Sequence, residues 1–274
     1  MLDTLRHIIQ ITEEQGHGTA AFNVFGYEDA RAVIDAAESL GRPVILMTNK
    51  PALAHMPVHL LGGMLIQMAR EASVPVGVHL DHADDLEVIE AALQTGYSSV
   101  MIDASQLPFE ENISRTKYVV EMARDFGAGA EAEIGAVGYS DAPDTYQARY
   151  TQPEEAQEFA GRTGVDALAV AVGTVHRMQT QTARLQFGLL ERIHKAVNTP
   201  LVIHGSSGIS DADLKKLVLC GVRKVNLGTT LRMAFGQELR RQIEVDEKLF
   251  DRIVMFQSCM TQVEKKARQK IELL

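Results

Sequence analysis

Short apolar runs alternate along this chain with longer segments whose apolar positions recur every third or fourth residue. The runs predict strands over 19–24, 43–48, 76–81, 98–103, 129–134, 167–172, 201–204 and 224–227. A continuous apolar run between turn residues suits a strand covered on both faces. Helices are predicted over 28–40, 60–71, 84–95, 109–126, 153–163, 187–197, 211–220 and 231–245. Leu86, Ile89, Ala92 and Leu93 show the spacing of one buried helix face. Gly41, Gly96 and Gly221 read as helix stops and Ser210 as a helix start. Eight strand–helix units in strict alternation imply a parallel sheet closed into a (β/α)8 TIM barrel, one domain over 1–274. An open doubly wound sheet is the rival, but no Gly-x-Gly-x-x-Gly turn follows the first strand. The charged amphipathic tail over 247–274, with Lys265, Lys266, Arg268 and Lys270, predicts an additional C-terminal helix, packed or forming a subunit contact.

Polar residues gather at one end of this predicted barrel. His82, His176 and His204 close apolar runs on the third, sixth and seventh strands, and Asn23, Asp103, Glu133 and Asn226 stand at the ends of four others. Barrel active sites lie at the carboxyl ends of the strands, and polar side chains turned into apolar packing would be costly. A catalytic zinc takes three protein ligands and keeps one position open, so the three histidines read as one shared site. A single histidine at a strand end is more often a hydrogen-bonded structural residue, but three are hard to assign to packing alone. Asp81, beside His82, is the candidate general acid/base; its plainer alternative is to orient a ligand imidazole. Glu131 and Glu133 share one side of the fifth strand, Glu131 reading as a salt-bridged interior residue and Glu133 as the functional one. The turns His204-Gly-Ser-Ser-Gly208 and Asn226-Leu-Gly-Thr-Thr230 follow the last two strands and precede helices, where barrels frequently bind phosphate. Two long loops, 135–152 and 173–186, read as lids or substrate contacts.

Composition narrows the classes of function. The chain has 274 residues, 46% hydrophobic and 23% charged, as in ordinary soluble globular domains. Its net charge of −9 argues against a nucleic-acid partner. Cys220 and Cys259 make neither a disulfide framework nor a metal-type pair, and Cys220 reads as a buried thiol. No apolar run approaches ~18 residues and no signal-peptide core is visible, so no membrane partner and a cytoplasmic location are expected.

A family resemblance runs nearly end to end. It is carried by Ala21-Phe-Asn-Val, His79-Leu-Asp-His82, Ser99-Val-Met-Ile-Asp-Ala-Ser105, Phe109-Glu-Glu-Asn-Ile and Glu131-Ala-Glu-Ile-Gly. Leu168-Ala-Val-Ala-Val-Gly-Thr-Val-His176, His204-Gly-Ser-Ser-Gly and the stretch around Asn226 extend it. These motifs resemble the zinc-dependent class II ketose-bisphosphate aldolases, which include fructose- and tagatose-1,6-bisphosphate aldolases. The resemblance implies Zn2+, or another divalent metal, on His82, His176 and His204, with Asp103 and Glu133 near it as ligands of an alternative or second ion and room for a monovalent cation. It further implies Asp81 as the acid/base on a substrate oxygen and Asn23 as a substrate contact. Gly205, Ser207, Asn226 and Thr229 match phosphate-cradle positions, and the expected assembly is a homo-oligomer, a dimer or tetramer.

The departures from the family concern substrate selection. Arg177 stands where the family has glycine, and the lysine that closely follows is missing, which makes Arg177 a candidate clamp for an anion. The second glycine after the last zinc histidine has become Ser206. The mobile-loop glutamate that moves the carbon-bound proton aligns with Asp141, in Tyr139-Ser-Asp-Ala-Pro. A substrate-contacting serine appears as Asn49, beside Lys50, and the acidic sugar-discriminating position is Thr230 or Gly228. The expectation is a lyase that reversibly splits a ketose phosphate or bisphosphate, or a related sugar-acid phosphate, into dihydroxyacetone phosphate and an aldehyde, with an unusual sugar or sugar acid favoured over fructose 1,6-bisphosphate. A retro-aldol epimerase on the same metal site and a catalytically silent zinc-binding barrel stay open as the other readings.

Overall fold

The computed structural model describes residues 1–141 and 147–274, so part of the long loop 135–152 lies outside the described residues. The chain opens with α1 (Leu5–Glu14), a helix that the strand–helix alternation does not call for, and then enters β1 (Thr19–Asn23) and α2 (Tyr27–Leu40). The second unit is β2 (Val44–Thr48) with α3 (Lys50–His55) and α4 (Val58–Glu71); the third is β3 (Val76–Ala83) with α5 (Leu86–Thr95). Next come β4 (Ser99–Ile102), α6 (Phe109–Asp125), β5 (Gly129–Ile134), the short β6 (Gly138–Tyr139) and α7 (Pro153–Thr163). They are followed by β7 (Ala167–Val170), the equally short β8 (Val175–His176), α8 (Phe187–Ala196) and β9 (Leu201–Ile203). The chain finishes with α9 (Asp211–Leu219), β10 (Val222–Leu227), α10 (Thr229–Val245) and α11 (Arg252–Leu273).

The sheet closes as a parallel barrel in the order β1-β10-β9-β7-β5-β4-β3-β2, the expected TIM barrel with further helix at its C-terminal end. Each boundary has a local cause. The Ser210 hydroxyl accepts from the Asp213 N–H and starts α9, and Gly96, at φ 101°, ends α5 in the left-handed conformation that glycine tolerates. Tail helix α11 buries Cys259, Val263, Ala267 and Ile271, and its Lys270 pairs with Asp211 at 2.7 Å. Cys220, expected to be buried, is only partly so; both cysteines are free.

Two layers fill the barrel. At the amino-terminal end of the strands, Leu5, Ile8 and Ile9 of α1 pack with Ala21, Ile45, Met47, Ala167, Ala169 and Val202 as an apolar plug. Burying each large aliphatic side chain is worth roughly 1.5–3 kcal/mol. Towards the opposite mouth the inward side chains turn polar: His79, Asp81, Glu131, Glu133, His204, Lys224 and Asn226 are all buried. Such a layer survives only where its members satisfy one another. Outside the barrel, β6 and β8 form a two-stranded parallel ribbon that joins the two long loops, with Tyr139 opposite His176. His176 is therefore not at the end of the sixth barrel strand, as its apolar run predicted. It sits in β8, and the run breaks after Val170.

Candidate metal and active site

His82, His176 and His204 converge at the carboxyl-terminal mouth. Their ring centroids lie 4.5 Å (His82–His204), 5.0 Å (His82–His176) and 6.1 Å (His176–His204) apart, and one nitrogen from each comes within 4.8 Å of the others. Local backbone explains the convergence. The β3–β4 register shifts between Leu80 and Ala83, and His82 within that irregularity has a φ of 50°. A left-handed non-glycine residue costs on the order of 1–3 kcal/mol and persists where surrounding structure holds it. Gly205, at φ 67°, turns the chain immediately after His204, where a Cβ would lie 2.8 Å from the Val175 carbonyl carbon and 3.0 Å from the His176 nitrogen. Only a glycine lets the turn after β9 come so close to the ribbon that carries His176.

Carboxylates hold two of the three rings. Asp103 Oδ2 lies 2.7 Å from His82 Nδ1, while Asp103 Oδ1 accepts from the Ser105 hydroxyl at 2.8 Å. His204 is bracketed by Glu133 at Nδ1 (2.8 Å) and Glu131 at Nε2 (2.9 Å). Glu131 also accepts from Lys224 Nζ at 2.8 Å, the salt-bridged interior role expected of it. Lys224 donates in turn to Asn226 Oδ1 at 2.7 Å, so the Asn226 amide presents its Nδ2 to Asp81 Oδ1 at 2.9 Å. Asn23 Nδ2 donates to the other Asp81 oxygen at 2.9 Å. Asp81 is thus clamped on both oxygens, with Oδ1 4.0 Å from His82 Nε2.

The electrostatics follow from crowding acids around imidazoles. Burial disfavours a charged Asp81, yet His82, His204 and Lys224 outweigh it and hold the carboxyl below its ordinary value. Burial likewise opposes a charged His82, but Asp81, the hydrogen bond to Asp103 and Glu133 prevail and push it up to about 10. His204 is raised, against burial and His82, by its two glutamates. His176 is lowered far below the ordinary range by burial and by the other two histidines, so it is neutral. His79 is also neutral, pushed down to about 3 by burial and Lys224.

The residues fit a divalent cation. His82 Nε2 and His176 Nε2 are buried with no hydrogen-bond partner among the described residues, as ligand nitrogens facing an ion would be. Asp81, Asp103, Glu131 and Glu133 surround the rings with Lys224 as the one lysine among them, and raised histidine pKa values supply the missing positive charge. An ion would supply the same charge and leave the imidazoles neutral. Both His204 ring nitrogens face glutamates, so holding an ion there would require one of those hydrogen bonds to be given up.

A cavity of about 200 Å³ opens over this centre. Gly205, Ser207, Asn226 and Thr229 line one wall, where α10 begins at Thr229 and turns the positive end of its dipole towards the cavity. The Ser207 hydroxyl is buried and has no hydrogen-bond partner among the described residues. Asn23, Asn49 and Lys50 line another wall; Asn49 also caps α3, and Lys50 pairs with Asp84 at 2.6 Å. Arg177, whose φ is 61°, lines the cavity but spends its guanidinium on Asp141 at 2.7 Å, over the Tyr139 ring. The two residues that stood apart in sequence as clamp and proton carrier are therefore partners of each other.

Comparison with known proteins supplies the family. The family described as fructose-bisphosphate aldolase class-II matches residues 3–274. The chain belongs to the class II fructose-bisphosphate aldolase family. Its fold superposes on the YdjI aldolase from Escherichia coli K12 with a TM-score of 0.87 at 35% identity, covering 100% of this chain and 97% of that one. A candidate fructose-1,6-bisphosphate aldolase from Coccidioides immitis gives 0.86 at 27% identity, over 98% and 96%. The fructose-bisphosphate aldolase of Campylobacter jejuni shares the fold at 0.85 and 23% identity, over 100% and 96%. Among the described residues no helix is long and apolar enough to cross a membrane.

Lys224, buried beneath the cavity, and the cavity residues Arg232 and Tyr139 escaped the sequence reading. Lys224 had a signal, since it shares an inward strand face with Asn226 two residues on. Arg232, which lies over the Phe25 ring at 5.1 Å and has no ion pair among the described residues, stands one turn into α10. Tyr139 gave no periodic signal, because the ribbon that places it is two residues long.

Proposed function

We propose that this family member is a zinc-dependent aldehyde-lyase that reversibly cleaves a ketose phosphate or sugar-acid phosphate into dihydroxyacetone phosphate and an aldehyde. The observation that carries the reading is Asp81: a carboxylate kept ionised, clamped by two amides and placed beside three metal-competent imidazoles in a cavity with a small-residue wall. Zinc held by His82, His176 and His204 would supply Lewis-acid polarisation of the substrate oxygens at the carbon–carbon bond that breaks. Asp81 takes the proton from the hydroxyl of the aldehyde half in cleavage and returns it in condensation. Its clamps leave it no freedom to rotate away. Asp103 and Glu133 orient His82 and His204, and either can offer an oxygen to an alternative or second ion. Gly205, Ser207, Asn226 and Thr229 receive the phosphate, and Asn23 borders the other end of the substrate. Arg232, which makes no ion pair among the described residues, supplies counter-charge for a further anionic group. Asp141 handles the carbon-bound proton once substrate anion replaces it on Arg177. The E. coli relative at 35% identity, named as an aldolase, supports the same reaction class.

The test is a panel of ketose 1-phosphates and their terminal carboxylates offered to zinc-loaded protein, with dihydroxyacetone phosphate read by a coupled reduction. Cleavage of one member, lowered about 10²-fold or more in Asp81→Asn at full zinc content, is the expected result. An inverted sugar with no released triose phosphate would identify an epimerase. A zinc-loaded protein that changes no substrate would leave the silent barrel.

A further inference from the structure

Two of the three converging imidazoles are oriented by carboxylates, and the third is not. His82 is fixed by Asp103, and His204 by Glu133 and Glu131. His176 makes no ring hydrogen bond among the described residues, and its Nε2 is buried without a partner. A metal-ligating histidine almost always has its second ring nitrogen engaged, which fixes the ring plane before the ion arrives. Rotation of an imidazole about its last torsion is otherwise broad and soft.

One neighbour stands in for the missing bond. The Tyr139 ring lies against the His176 ring at 4.4 Å between centroids and 20° from parallel, the one stacked pair in the centre among the described residues; His82 and His204 meet their neighbours edge-on or tilted. The ribbon enforces this contact, because Tyr139 and His176 are register partners and the Ser140 N–H donates to the His176 carbonyl at 3.1 Å. Tyr139 is held in its own turn. Arg177 lies over its ring at 5.3 Å and is pinned by Asp141 at 2.7 Å. The imidazole, phenol ring and guanidinium therefore make one packed unit across the two long loops.

We infer that Tyr139 is a positioning residue that orients the His176 imidazole for metal coordination by ring stacking, in place of the carboxylate that the other two ligands use. The inference rests on the reading of the three histidines as a metal site. It concerns the ring and not the hydroxyl, so an aromatic replacement should serve and an aliphatic one of similar bulk should not.

The experiment titrates metal-free protein with zinc against a chromophoric chelator, for wild type, Tyr139→Phe, Tyr139→Leu and Tyr139→Ala. Each is also loaded with cobalt(II) and its visible spectrum recorded. Tyr139→Phe is expected to bind zinc within about twofold of wild type. Tyr139→Leu and Tyr139→Ala are expected to lose about 10-fold or more, the range seen when partners that orient a ligand are removed, and to alter the cobalt spectrum. Wild-type affinity and spectrum in Tyr139→Leu would overturn the inference, as would a loss in Tyr139→Phe equal to that in Tyr139→Leu. The melting temperature of the metal-free variants separates orientation from folding: a weakened site in a Tyr139→Leu protein that melts with wild type supports orientation. A drop in melting temperature with unchanged zinc affinity and cobalt spectrum would mean a structural role and reject it. If wild type itself binds no zinc, the metal-site reading fails first and the inference falls with it.

Discussion

Replacing Lys224 with methionine should be among the most damaging single changes in this protein. Lys224 and Glu131 are both 0% exposed, their charges meet at 2.8 Å, and methionine keeps the length of the chain while removing the ammonium. Among the described residues Glu131 would keep its bond to His204 Nε2 at 2.9 Å and His79 Nε2 4.0 Å away, and it would lose Lys224, the main influence that holds its carboxyl below the ordinary range against burial. Breaking a buried pair from one side costs about 3–5 kcal/mol, since the remaining charge is stranded away from water. In proteins approaching this size 1 kcal/mol moves Tm by roughly 2–4 °C, so a fall on the order of 10 °C is expected. Lys224→Met/Glu131→Gln should recover more than half of the loss, because no stranded charge remains. Urea and thermal unfolding by circular dichroism of the wild type, both single variants and the double variant close the cycle. The same change frees the Asn226 amide, whose Oδ1 loses its donor and whose Nδ2 grips Asp81, so turnover should fall further than folding explains. A loss in Lys224→Met below about 1 kcal/mol, or additive single variants, would refute the reasoning.

Further consequences can be measured independently. Gly205→Ala must move either its own turn or the His176 backbone, 3.0 Å from the new Cβ, so zinc content by elemental analysis should fall while the far-ultraviolet spectrum stays that of a barrel. Unchanged zinc stoichiometry and affinity would show that the turn yields instead. Asp29 is pushed up to about 6, chiefly by burial, from 3.8. The folded state therefore holds this proton more tightly than the unfolded chain, and the contribution of Asp29 to stability declines as pH rises from about 4 to about 6. Asp29→Asn can keep the acceptor for the Phe25 N–H, so it should be more stable than wild type at pH 7, by about 1–2 kcal/mol, and equal to it near pH 4. A stability difference that does not vary with pH would remove Asp29 as the cause. Alanine at His82, His176 or His204 should each lower bound zinc, and full occupancy in all three variants would reject the ligand set.

Much of the fold was legible because the periods are strong. The predicted strand over 129–134 and helix over 153–163 match β5 and α7 end for end, and the tail was read as a helix from its charge pattern. Elements without a period of their own were lost. α1 lies outside the strand–helix alternation, and β6 and β8 are two residues each, too short for any alternation to register. His176 was placed at the end of the strand predicted over 167–172, although that strand ends at Val170 and His176 belongs to the ribbon strand β8.

The residue types at the site were likewise present in the linear chain. Histidines at strand ends, an aspartate beside one of them and small-residue turns before helices carry chemistry wherever a parallel barrel brings its strand ends together. Pairing was not present. Arg177 and Asp141 are 36 positions apart, and Lys224 and Glu131 are 93 apart. Which partner neutralises which charge depends on the closure order of the strands and the path of two loops. Sequence by itself determined the barrel, the mouth at which polar groups gather and the ligand types, because these follow from periodicity and local chemistry. Tertiary structure alone decided that Asp81 is clamped by Asn23 and Asn226, that Tyr139 stacks on His176, and that Arg177 and Asp141 hold each other. Hydrogen bonds and ring contacts act over a few ångströms in space, and no spacing along the chain encodes that distance.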